Sequence, residues 1–161
     1  MRRRHFLQLF TAFACGVPLH VRADEKKKPT TLAIVVHPDG PAKELSSADA
    51  EAIFSARKRF WDSGERILPF NLPPNHDLRV LFDRAVLHMS PDEVAKYWID
   101  ERVRGGNRPP KQVPSPALML AVVAKLQGAI GYVPLSSVHR DVRVIAVVKD
   151  GKVMGAPSTG K

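Results

Sequence analysis

Seven consecutive residues, Thr31-Leu32-Ala33-Ile34-Val35-Val36-His37, constrain this chain more than any other stretch. The five in the middle are all aliphatic, and no polar residue alternates with them. A strand with one wet face alternates apolar and polar side chains, whereas an unbroken apolar run of this length needs cover on both faces. Pro38-Asp39-Gly40 closes the run as a turn. The chain must therefore place strands beside residues 31–37 and a layer above and below them. That requirement points to an α/β domain whose sheet is flanked by helices.

The rest of the sequence supplies those elements. Ser46 or Ser47 can cap a helix carrying Ala48, Ala52, Ile53 and Phe54, and Asp49 three residues after Ser46 gives an acidic variant of the capping box. Arg57 to Gly64 turns the chain, and Ile67 to Leu72 reads as a second strand. Pro69 inside it implies an edge or an interruption, because proline cannot donate to a ladder. After Pro73-Pro74, Asn75 can cap a helix over 76–89, with Leu78, Phe82, Ala85, Val86 and Met89 on one face. Ser90-Pro91-Asp92-Glu93 and Ser115-Pro116 are two further helix starts, the first running to Gly105-Gly106 and the second to Gly128. A proline-rich loop, 108–111, separates them. Residues 129–133 and 142–148 read as strands, with Lys149-Asp150-Gly151-Lys152 turning a short hairpin. The expected order is β-α-β-α-α-α-β-β, with strands contributed from both ends of the chain.

The N-terminus reads as an export signal over residues 1–23. Arg2, Arg3 and Arg4 precede an apolar stretch from Phe6 to Leu19, and Val21-Arg22-Ala23 offers small residues at the cleavage positions. Arg3-Arg4-His5-Phe6-Leu7 also fits a twin-arginine pattern, so the route is the general secretory or the twin-arginine one. Cys15 lacks the neighbours of a lipoprotein site, with Ala12 and bulky Phe13 before it. Residues 24–30 form a polar lead-in, 31–150 the domain, and 151–161 a tail. Cys15 is the only cysteine, so the exported chain has no disulfide framework and no thiolate chemistry. Setting aside the four arginines of the signal leaves 21 basic against 16 acidic residues, a net +5. That mild excess suits an anionic ligand or surface, but no dense basic face with interleaved aromatics marks a nucleic-acid binder. No segment after the signal is apolar for long enough to span a bilayer.

The chemistry-bearing residues are sparse. His37, His76, His88 and His139 do not fall at metal-ligand spacing, and no cofactor motif, nucleophile elbow or glycine-rich phosphate loop is present. Asp83, Asp92 and Glu93 fall at expected helix surfaces or caps. Nothing in the pattern calls for an enzyme. What remains are helix starts beside small polar side chains, Ser46-Ser47, Asn75-His76-Asp77 and Ser115, where unpaired backbone N–H groups favour anions. Each is also explained as a cap alone.

Several short stretches, taken in order, resemble a known family: Ile53-Phe54, the basic turn to Trp61, Gly64, the strand ending at Asn71, Leu78-Arg79-Val80-Leu81-Phe82, Tyr97-Trp98, Gly106-Asn107-Arg108-Pro109-Pro110, Val122-Val123 and Gly128-Ala129-Ile130-Gly131-Tyr132-Val133. They look like phosphate-type periplasmic substrate-binding proteins of ABC transporters, over roughly residues 31–148. The resemblance implies a truncated, three-layer, type II periplasmic-binding-protein-like domain. It also implies a phosphate or other small oxyanion as ligand, and a permease or another periplasmic protein as partner. Full-length members are two-lobed, and they grip phosphate with an arginine and a Ser-Gly-Thr helix start. In this sequence the arginine position is Asn71, and Asn75-His76-Asp77 replaces Ser-Gly-Thr. The expected ligand set is therefore Ser46, Ser47, Asn71, Asn75 and His76 as neutral donors, with Arg79 as the charge. The alternative is an accessory or sensor domain that uses the same scaffold to bind a protein.

Overall fold

The computed structural model describes residues 30–156. The export-signal and lead-in readings lie outside these residues. Strand β1 (Leu32–Val36) is buried along its whole length, as its composition requires. It lies inside a six-stranded sheet with β2 (Leu68–Asn71), β3 (Lys111–Gln112), β4 (Ala129–Pro134), β5 (Arg143–Lys149) and β6 (Lys152–Gly155), in the order β3-β2-β4-β1-β5-β6. β1 runs antiparallel to both of its neighbours, β4 and β5. β2 runs parallel to β4 and to β3, and β6 returns antiparallel on β5, so the sheet is mixed.

Two adjacent residues of β4 show how the layers form. Tyr132 stacks on Phe82, with ring centres 3.8 Å apart, and meets Phe54 edge-on at 6.0 Å. Those phenylalanines close α1 (Ser47–Phe54) and α2 (Asp77–Phe82). Successive side chains of a strand point to opposite faces, and on the other face of Gly131 lie Met119 and Val123 of α4 (Pro116–Val123). The domain is thus three layers, with α1 and α2 on one face and α4 on the other. Helix α3 (Pro91–Val103) begins with the full capping box at Ser90 and Glu93.

The structure departs from the sequence reading in four places. The helix expected over 76–89 starts one residue later, with His76 as its cap, and changes to a π-helical turn over Asp83–Leu87. His88 ends it in the left-handed region, φ 56°. The proline-rich loop contributes β3, which pairs Lys111 with Phe70 and Gln112 with Asn71. Pro69 therefore sits one residue before that pairing begins. Because Leu68 N–H donates towards β4, Pro69 lacks only a donor on the outer side of β2, and the edge reading holds locally. Asp83, expected at a helix surface, is buried. Finally, the hairpin expected at Lys149 to Lys152 forms, with Asp150 and Gly151, both of positive φ, as its two-residue turn, and it carries the sheet into β6, past the boundary expected at residue 150.

The two glycines of the 128–133 stretch do different jobs. A Cβ at Gly128 would strike the backbone carbonyl of Arg66, whereas one at Gly131 would strike the Met119 thioether. Backbone cannot move aside, but a methionine can change rotamer. Gly128→Ala is expected to cost about 1–3 kcal/mol, typical of overpacking, and Gly131→Ala clearly less. Urea unfolding of the two variants checks the order.

Candidate functional site

The strand register decides which of the expected site residues can act together. Val36, the last residue of β1, is level with Ile130, and Pro69 near the start of β2 is level with the same residue. β2 then runs parallel to β4 towards the level of Leu32, where β1 begins. β1 and β2 therefore leave the sheet at opposite ends. The α1 start with Ser46 and Ser47 follows β1, while Asn71, Asn75 and His76 follow β2. The structure does not gather the six residues at one end of the sheet.

Ser46 is fully occupied as a cap. Its Oγ accepts from Asp49 N–H at 3.0 Å and donates to Asp49 Oδ2 at 2.7 Å. Ser47 is exposed in the first turn. Lys58 reaches Asp49 at 2.9 Å and Asp62 at 3.2 Å; its ammonium, and then the Ser46 hydroxyl, hold the Asp49 carboxyl below its ordinary value. Asp49, Lys58 and Asp62 edge a groove of about 310 Å³ between the connection at Pro41 to Leu45 and the turn at Trp61 to Ser63. Arg143 of β5 fixes that connection by donating to the carbonyls of Gly40 and Ala42 at 2.5 and 2.6 Å. Opposite charges are already paired in the groove.

The other end of the sheet is organised differently. β2 and β3 run parallel and side by side, and both end there, at Asn71 and Gln112. α2 and α4 begin just beyond, capped by His76 and Ser115. In open α/β sheets, the crevice outside the carboxyl ends of parallel strands is where ligands bind. His76 Nδ1 accepts from Leu78 N–H at 3.2 Å; that acceptor role puts the proton of the neutral ring on Nε2, which is left to donate. Asn75 and Gln112 are exposed, and Ser115 is half-buried. Ser115 was singled out as a helix start in the sequence, but nothing there placed it at the same end of the sheet as Asn75. Gln112 carried no sequence signal, because a two-residue strand has no periodicity to read.

Arg79 does not serve this crevice. It is 4% exposed, donates from Nε to Asp83 Oδ2 at 2.6 Å and from a terminal nitrogen to the Leu72 carbonyl at 3.1 Å. Its guanidinium is held inside the fold by a carboxylate four residues on, a spacing that places both on one helix face. Burial pushes the Asp83 carboxyl above its ordinary value, against the pull of Arg79. Asn71, 1% exposed, lies on the Tyr132 side of the sheet, and its Oδ1 has no hydrogen-bond partner among the described residues. The Tyr132 hydroxyl accepts from Leu72 N–H at 3.3 Å. The polar cluster at this end is thus mostly internal. Among the described residues no group of three His, Cys, Asp or Glu side chains is placed to hold a metal ion, and no helix is long and apolar enough to cross a membrane.

No protein-family model matches the sequence, and no characterised protein matches it in sequence. Solved structures do. An ABC-type phosphate transport receptor from Vibrio cholerae aligns with a TM-score of 0.58 at 19% identity, covering 72% of this chain and 46% of the receptor. A putative phosphate ABC transporter substrate-binding protein with bound phosphate from Clostridium perfringens gives 0.59 at 16% identity, over 72% and 45%. PstS from Borrelia burgdorferi gives 0.55 at 12% identity, over 83% and 50%. The chain has a periplasmic-binding-protein fold. It spans about half the length of the receptors it matches. Those neighbours are substrate-binding receptors rather than enzymes.

Two stability outcomes follow from the internal cluster. Arg79→Met leaves the Asp83 carboxylate buried without its counter-charge, and removing one partner of a buried pair costs about 3–5 kcal/mol. Loss of Arg79 raises the Asp83 pKa further, so the folded protein holds its proton to higher pH than the unfolded chain does. The deficit is therefore smallest in acid and grows as pH rises through the folded pKa, which urea melts at acid and neutral pH check. Asn71→Leu removes an orphaned buried acceptor and is expected to leave the melting temperature unchanged or raised; differential scanning calorimetry checks it.

Proposed function

We propose that this chain is an exported, periplasmic solute-binding domain of the phosphate or small-oxyanion type that works with an ABC transporter permease. The fold it shares over 72% of its length with phosphate receptors, one of them holding phosphate, carries the reading. The residues we assign to the solute are Asn71, Asn75 and His76 at the end of β2, with Gln112 and Ser115 at the end of β3. Ser46 and Ser47 sit at the far end of the sheet and are not in this set. Arg79 holds the loop from beneath, through the Leu72 carbonyl. Neutral donors replace a charge-assisted guanidinium contact, so binding is weaker than an arginine-based site would give.

One observation favours a second reading. The arginine nearest the crevice is neutralised by Asp83, which leaves the scaffold without a free cation on α2 for an anion to meet. An accessory or sensor domain that recognises a protein has no need of one.

Thermal melts in phosphate-free buffer separate the two. A ligand at 100 times its dissociation constant stabilises the native state by about 2.7 kcal/mol, which for a domain of this size raises the midpoint by roughly 10 °C. Phosphate is expected to give a saturable rise that sulfate does not match and that Asn75→Ala and His76→Ala each reduce. A flat response at millimolar phosphate would remove the oxyanion reading and leave protein recognition.

A further inference from the structure

Helix α3 runs for thirteen residues yet buries only Val94. Its inner side is anchored: the Tyr97 hydroxyl donates to the Ser55 carbonyl at 2.9 Å, and Trp98 packs against the core. At about 100° per residue, the outer side brings Asp92, Ala95, Lys96, Ile99, Arg102 and Val103 into one stripe, and all six are exposed. Ile99 is 60% and Val103 81% exposed, one turn apart. The ends of the stripe carry opposite charges, Asp92 in the first turn and Arg102 in the last, with Lys96 between them. Neither makes an ion pair among the described residues.

We propose that this stripe is a homodimer interface, in which α3 packs antiparallel on α3 of a second copy about a two-fold axis. A two-fold contact uses the same patch on both subunits and must be self-complementary. With the axis passing at the level of Tyr97 and Trp98, Asp92 of each copy meets Arg102 of the other. Ile99 then lies over Ala95 of the second copy, whose small side chain lets the helices approach, and the aliphatic stem of Lys96 flanks it. A parallel arrangement would set Asp92 against Asp92 and Arg102 against Arg102. A partner of one charge sign, such as an anionic bilayer or a nucleic acid, would be repelled by Asp92 as it was drawn to Lys96 and Arg102. A reversed copy of the stripe answers both ends. One helix pair covers less than the roughly 800 Å² per partner of a standard interface, so the dimer is weak and concentration-dependent.

Sedimentation equilibrium over a dilution series of the full chain tests this. The mean mass is expected to rise from one chain towards two as concentration increases. Ile99→Asp should hold the mass at one chain throughout, with the melting temperature of the dilute protein unchanged because the side chain is in water. Asp92→Arg and Arg102→Asp should each weaken self-association about tenfold or more. Mixed together, these two variants should associate, since each then meets its opposite charge twice. A wild-type mass of one chain at every concentration overturns the proposal. So does association that Ile99→Asp leaves intact, or a mixture of the two charge variants no more associated than either alone.

Discussion

The ring of Tyr132 is the contact on which the rest of this structure depends. It stacks on Phe82 and meets Phe54 edge-on, so a single residue of β4 holds both helices of one layer. Its hydroxyl accepts from Leu72 N–H, which ties the end of β2 to the same point. The phenol is buried enough that its pKa is pushed well up by desolvation, and it stays neutral as a hydrogen-bonding group. One residue earlier, Gly131 clears the opposite face for Met119. Three helices are thereby set relative to the sheet by two adjacent residues of a single strand.

From that arrangement follows the separation of the two polar ends. The antiparallel place of β1 sends its connection to one end of the sheet, where Lys58 is already shared between Asp49 and Asp62. The parallel trio of β2, β3 and β4 ends at the other. There Arg79 and Asp83 neutralise each other beneath Leu72, and neutral amides, an imidazole and a hydroxyl remain towards solvent together with the exposed Asp77 and Lys111. A crevice of that composition differs in kind from one built around an arginine, whatever fold it sits in.

Much of the candidate site was legible as separate helix starts, because Ser and Asn before a helix declare themselves by local chemistry, although the cap expected at Asn75 falls on His76. Ser46, His76 and Ser115 are all observed as caps. Which caps share a crevice was not legible, since that depends on strand direction, and a run such as Leu32–Val36 reads the same in either direction. Gln112 was invisible because β3 exists only by pairing with β2. Asp83 was misplaced because a carboxylate in a helix reads as a surface residue, whereas here it is buried by its pairing with Arg79.

The sequence by itself determined that a central strand must be buried on both faces and roughly where the helices begin. These are consequences of side-chain polarity and capping, which act over a few residues. Tertiary structure alone decided the strand order and the opposite exits of β1 and β2. Those outcomes rest on contacts between residues tens of positions apart, such as Leu72 with Tyr132 and Arg143 with Gly40. Their free energy appears only when the sheet has formed and water has been excluded from both of its faces.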